Sequence, residues 1–172
     1  SDTTYNSKNK PFSNFMAPGL LPAINYDTGN NNVAYFDNQS EDPNKFSPQT
    51  KSWNNGWSSR NDGVDISECN DVYLFHNGYQ VGWFEDGEWL QYEVNVDSAG
   101  VYDINFRYSA YNNDSKIYFS LNDTAFTQAH SLTNTNNWSF WNTYTIPNVI
   151  LDSGNQKIRL HCDGGEINVN SF

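Results

Sequence analysis

The sequence predicts an all-β domain, a β-sandwich or barrel, on three observations. Apolar and polar residues alternate along many short stretches, which is the two-residue period of half-buried strands. Asn-, Gly- and Asp-rich turns separate these stretches at short intervals, giving about ten strands joined by tight connections. Aromatic side chains, which favour strands, make up 16% of the chain, whereas Met occurs once. No segment carries a sustained helical period.

Taken in order, residues 1–17 read as a linker or extended N-terminal segment, and 18–172 as one domain able to bury a single core. Leu20–Tyr26 and Val33–Phe36 are short apolar runs separated by a turn signal at Thr28–Asn32. From Asn38 to Asn61 the chain is polar and broken by Pro43, Pro48 and Gly56. A loop of that length usually serves function, and its Trp53 and Trp57 either anchor it or face a ligand. Asp62–Ile66 reads as a brief strand. The plainest pattern lies in Val81–Val96, where Leu90, Tyr92, Val94 and Val96 share one face and Gln91, Glu93 and Asn95 the other. A turn at Glu85–Glu88 precedes that strand and is flanked by Trp83 and Trp89. Tyr102–Tyr108 and Ile117–Leu121 alternate likewise, Phe126–Leu132 more weakly. A polar loop ends at Trp138, and strands at Phe140–Ile146, Lys157–Cys162 and Ile167–Phe172 complete the set. Trp141, in phase with Thr143 and Thr145, is expected in the core.

Charge narrows the possible partners. Nine Lys and Arg stand against 20 Asp and Glu, a formal net charge of −11. Such a chain repels nucleic acid and anionic membrane surfaces but not neutral polymers. No apolar run is long enough to span a bilayer as a helix, and no signal-peptide pattern opens the sequence. Cys69 and Cys162 form one bridge in an oxidising compartment or remain two buried thiols; spacing does not choose.

Catalytic constellations are weak. Asp86 and Glu88 have the alternate spacing of a carboxyl pair for sugar hydrolysis, yet acidic pairs are common in this chain and solvated turn carboxylates are the expectation. The histidines are His76, His130 and His161, with no G-x-S-x-G around any serine. Neither cysteine has ligand-spaced partners for zinc. Binding is better supported. Pyranose rings pack C–H patches on aromatic faces while their hydroxyls need acceptors and donors at the rim, and this chain is rich in Trp, Tyr, Asn and Asp.

Seven segments then bear on one family: P-G-L-L-P-A-I-N-Y-D (18–27), N-V-A-Y-F-D (32–37), D-G-V-D-I (62–66), G-Y-Q-V-G-W-F-E-D-G-E-W-L-Q-Y-E-V-N-V (78–96), A-G-V-Y-D-I-N-F-R (99–107), N-N-W-S-F-W (136–141) and G-G-E-I-N-V-N-S-F (164–172). In this order they resemble the family 6 carbohydrate-binding modules, appended to polysaccharide-degrading enzymes. The resemblance implies a β-sandwich of jelly-roll type without catalytic activity, monomeric, secreted or on a bacterial cell surface, with a parent glycoside hydrolase in the same chain. It places a sugar ring between Trp83 and Trp138, with Asn168 hydrogen-bonding it. Trp89 matches a second site on the concave sheet face, and Tyr79, Trp53 and Trp57 are further candidate contacts. The family's usual calcium ligands fall on Pro22 and Ile24, which lack side-chain oxygens. Calcium is therefore expected to be absent or bound differently, with Asn170 a remnant of its site. The expected ligand is a β-linked glucan such as β-1,3-glucan, then agarose-type galactan, then xylan. A small β-sandwich hydrolase or lyase using Asp86 and Glu88 or His76, and an adhesion module, are the competing classes.

Overall fold

Alternating segments pair into two sheets whose apolar faces meet. The computed structural model describes residues 9–38, 60, 63–73 and 78–172. Its strands are β1 (Phe15–Ala17), β2 (Tyr35–Phe36), β3 (Ile66–Glu68), β4 (Tyr79–Glu85), β5 (Trp89–Val96) and β6 (Gly100–Ser109), followed by β7 (Lys116–Leu121), β8 (Thr124–Ala125), β9 (His130–Ser131), β10 (Asn142–Leu151), β11 (Gly154–Cys162) and β12 (Glu166–Ser171). One sheet runs β1-β5-β11-β7-β8, with β2 also on β5 and β9 also on β7; the other runs β10-β6-β12-β4-β3. The expected β-sandwich is thus the architecture found.

Tyr92, Leu90 and Val94 of β5 face Phe106 and Tyr108 of β6 across a core that also buries Phe119, Leu160 and Ile167. Each such side chain contributes about 1.5–3 kcal/mol by leaving water. The buried phenols are satisfied: Tyr92 Oη donates to the Ala23 carbonyl at 2.7 Å, and Tyr108 Oη donates to the Thr133 carbonyl at 3.1 Å.

Several local expectations are corrected. Within the apolar run Leu20–Tyr26, Ala23–Asn25 forms a 3-10 turn. Pro22 pairs only as an isolated bridge with Ser171, because it has no N–H for a ladder. Phe126–Leu132 supplies only the two-residue β9. The strand expected to stop at Ile146 continues to Leu151, because Pro147 and Asn148 (φ 60°) form a bulge on the edge strand β10. Trp141 is not in the core. Tyr144 and Ile146 turn inward, while Trp141 precedes the strand and donates Nε1–H to Asn70 Oδ1 at 2.9 Å. Both cysteines are free thiols. Cys162 lies on β11 and Cys69 just past β3, in opposite sheets, and burial pushes their thiols up to about 12 and about 11.

Candidate functional site

The site starts from an irregularity in β4. Val81 pairs with Val169 and Phe84 with Ile167, so two residues of β4, Gly82 and Trp83, face the single Asn168 of β12. This bulge keeps both Val81 and Phe84 in the core and re-aims Trp83. Trp83 has φ 47°, a conformation a bulky residue rarely adopts and which costs about 1–3 kcal/mol. Strain of that kind concentrates at functional positions. Gly82 keeps the floor open, since a Cβ there would meet Asn168 Oδ1 at 3.3 Å.

Trp138 comes from the loop between β9 and β10, and polar side chains hold that loop over the outer face of the sheet. Ser109 Oγ donates to the Trp138 carbonyl at 2.8 Å, and Asn168 Nδ2 donates to Ser109 Oγ at 3.2 Å. Asn70 Nδ2 donates to Ser139 Oγ at 2.8 Å while its Oδ1 accepts from Trp141. Between loop and sheet lies a cavity of about 240 Å³ whose lining includes Trp83, Trp138, Asn168 and Gln80. Asn168 and Gln80 are both buried, at 8% exposure, and so form its floor. Glu68, exposed, and Glu166, half-buried, also line it. Burial, then the charge of Glu85, raises the Glu166 carboxyl above its ordinary range. No Lys or Arg lines the cavity among the described residues. Tyr111, 55% exposed, lies with its ring 6.0 Å from that of Trp138 and extends the aromatic surface outward.

Thus the structure brings Trp83, Trp138 and Asn168 together. Of the remaining sequence candidates, those among the described residues lie elsewhere. Tyr79 packs against the core instead of lining the cavity. Trp53, Trp57 and His76 lie outside the described residues. Trp89 stands on the outer face of β5, but the Arg159 guanidinium covers its ring at 4.3 Å. Arg159 is itself held by Gln91 Oε1 at 2.8 Å and Asp123 at 3.1 Å. Nearby, His161 stacks on Tyr118 at 4.3 Å and shares a 2.9 Å hydrogen bond with Ser120 Oγ. Burial, then Arg159, depresses His161 to about 4, so it is neutral at pH 7.

Asp86 and Glu88 do not form a carboxyl pair. Asp86 is exposed in the hairpin turn, whereas Glu88 is buried at 3% exposure rather than solvated. Its two oxygens accept the backbone N–H of Asn38 and of Glu85, each at 2.9 Å. Desolvation, then the charge of Asp37, pushes Glu88 up to about 8. It staples the hairpin to the 31–38 segment and offers no open face to a substrate.

The calcium usual in the resembled family does not fit the residues present. Ile24 is 1% exposed and Pro22 is bridged to Ser171. The carbonyls of this segment already face a cation. Arg60 Nη1 donates to the Ile24 carbonyl at 3.0 Å and to that of Tyr26, and its Nη2 to that of Asp27 at 3.0 Å. The remnant position, Asn170, keeps a buried Oδ1 without a partner, but its Nδ2 donates to Asp71, whose charge Arg107 neutralises at 2.7 Å. Among the described residues no three His, Cys, Asp or Glu gather as a metal site.

A larger groove of about 510 Å³ lies beside β1 and β6, lined chiefly by apolar groups such as Phe15, Leu21, Ile104 and Phe172. Among the described residues it has no tryptophan in its lining, unlike the smaller cavity. Sequence reading missed Gln80, Glu68, Glu166 and Tyr111. The available signal was parity: Val81 pairs with Ile66 in the core, so Gln80 and its partner Ser67 face the opposite side, under the Trp138 loop.

Comparison with known proteins agrees with the fold. Residues 57–172 match the family model described as carbohydrate binding module (family 6). A search of curated proteins returned no match. The C-terminal family 6 module of LamC, a laminarinase of Zobellia galactanivorans, is 20% identical with a TM-score of 0.62, over 89% of this chain and 94% of that one. A β-1,3-glucan-binding family 6 module of Bacillus halodurans is 19% identical with a TM-score of 0.63, over 92% and 96%. A module of Cellvibrio mixtus lichenase 5A in complex with cellotriose is 19% identical with a TM-score of 0.60, over 89% and 92%. With two thirds of its length matched by the family model and the same fold in these relatives, the chain belongs to the family 6 carbohydrate-binding modules.

Proposed function

We propose that this module, one of a family of non-catalytic binding modules, binds a neutral β-linked polysaccharide in the Trp83–Trp138 cleft. The observation that carries the reading is the cleft itself: two tryptophans from different segments line an open cavity with an amide-bearing floor. A pyranose ring packs its C–H faces on the indoles, and its hydroxyls meet Asn168 and the surrounding acceptors. Because Glu68 and Glu166 line the cleft with no cation among the described residues, uronic and sulfated glycans are repelled and neutral ones are not. The scaffold is preformed, so little ordering opposes binding.

β-1,3-glucan is the first choice of ligand, supported by a relative of that specificity and by the module of a laminarinase. Other β-glucans follow, then agarose-type galactan and xylan. In this reading the module delivers a parent glycoside hydrolase, carried in the same chain and secreted by a bacterium, to its insoluble substrate.

Affinity electrophoresis through gels containing laminarin, lichenan, agarose or xylan tests the reading. Retardation by laminarin, with no sugar released on long incubation, is the expected result. Migration unaffected by every glycan would remove it, and sugar release lost in Glu88→Gln would restore the hydrolase.

A further inference from the structure

We infer that Gln80 is a specificity-determining residue of the cleft, reading one hydroxyl of a neutral sugar held between Trp83 and Trp138. The inference rests on the proposed sugar-binding role of that cleft and adds a ligand contact within it.

Three side-chain amides line the cavity, and their hydrogen bonds differ. Asn70 is spent on the loop, donating to Ser139 Oγ at 2.8 Å and accepting from Trp141 Nε1 at 2.9 Å. Asn168 donates to Ser109 Oγ at 3.2 Å and to the Trp138 carbonyl at 3.5 Å. Gln80 is different. Its side chain is more than nine-tenths buried, and its Oε1 has no hydrogen-bond partner.

An amide oxygen left unpaired inside a protein is destabilising, and native structures keep few of them. Packing does not explain this one, because a methionine of the same length would fill the position without the unpaired oxygen. Nor does the strand require it, since Gln80 pairs with Ser67 through backbone alone. The remaining explanation is the cavity whose lining includes Gln80, beside Trp83, Trp138 and the floor residue Asn168, where a turn of the buried amide would bring its oxygen to a ligand. A carboxamide turns easily about its last torsion and carries both a donor and an acceptor. It therefore reads a hydroxyl group in either hydrogen-bonding sense. The carboxylates of Glu68 and Glu166, when ionised, only accept.

A site built to pair with a hydroxyl discriminates strongly against an analogue that lacks it, because the buried partner is then stranded again. Stacking on indole tolerates many sugars. On this account Trp83 and Trp138 supply affinity for pyranose rings in general, and Gln80 selects among them.

The test is isothermal titration with laminaritriose, cellotriose, xylotriose and neoagarotetraose on the whole chain, its Gln80→Met variant and its Trp138→Ala variant. Gln80→Met is expected to weaken the best of these ligands roughly ten-fold or more while the melting temperature holds or rises. A second measurement uses monodeoxy analogues of that ligand. One deoxy position should cost the parent chain a comparable factor and cost Gln80→Met nothing. If Trp138→Ala loses binding while Gln80→Met binds like the parent, the inference about Gln80 falls and the cleft reading stands. If Trp138→Ala binds as tightly as the parent, or no probe binds at all, both fall.

Discussion

The two tryptophans of one hairpin, Trp83 and Trp89, stand on different sheets and have opposite surroundings. Trp83 sits in a strained bulge and lines an open cavity with Trp138. Trp89 lies in a regular strand, and Arg159 covers its ring. Both are half-buried and both occupy positions that the family resemblance marks for sugar contact. The β4–β5 hairpin that carries both rings is stapled to the 31–38 segment by Glu88.

The largest expected effect on this comparison comes from Trp138→Ala. Loss of one wall of the cleft should remove about 2 kcal/mol or more of binding energy, roughly thirty-fold in Kd, with little change in melting temperature. Titration calorimetry reads the first quantity and thermal melting the second. Unchanged affinity would dissolve the contrast between the two tryptophans.

Glu88→Gln comes next, because an amide cannot accept both backbone N–H groups. A stability loss of about 1–3 kcal/mol near pH 5 is expected in urea melts. The pH dependence has a definite sign. Glu88 rises from an ordinary 4.5 to about 8, so between those values the native protein holds a proton that the unfolded chain has released. Its stability contribution therefore falls as pH rises from 4.5 through 8. The variant should lose that slope, and an equal slope in both chains would contradict the burial of Glu88.

Removing the cover from the second tryptophan gives a smaller effect. Arg159→Ala should cost about 0.5–1 kcal/mol of stability through the lost cation–π contact, and leave affinity for the cleft ligand unchanged. A gain of a second binding event in that variant would show that Arg159 is what silences Trp89. The smallest effect is reserved for chelation. EDTA should leave both the melting temperature and glycan binding where they were, because Arg60 already occupies the carbonyls of residues 24, 26 and 27. A fall of many degrees would overturn that account.

The sandwich was legible because alternation is dense: Leu90, Tyr92, Val94 and Val96 are all buried as their spacing demands, and Phe106 and Tyr108 are buried from the facing sheet. Trp83 and Trp138 were legible as aromatics beside polar turns, placed through the family resemblance. What periodicity cannot carry is the local break in it. The bulge at Gly82–Trp83 changes the parity of β4, and the one at Pro147–Asn148 lets β10 run on. Glu88 reads as one more acidic turn residue, since nothing local shows that backbone N–H groups converge on it from Asn38 and Glu85. Trp141 went to the surface because two alternating faces competed for the core and Tyr144 with Ile146 won it. Gln80 escaped notice for a related reason. Polar residues on the outer face of a strand normally meet water, but among the described residues the loop carrying Trp138 lies beside this one.

The most direct test follows the indole N–H resonances of assigned, nitrogen-15-labelled protein during titration with laminaritriose. The account predicts that the Trp83 and Trp138 signals shift together in proportion to saturation while the Trp89 signal stays still. Movement of Trp89 alone, with Trp83 and Trp138 unmoved, would place the ligand on the sheet face and contradict it.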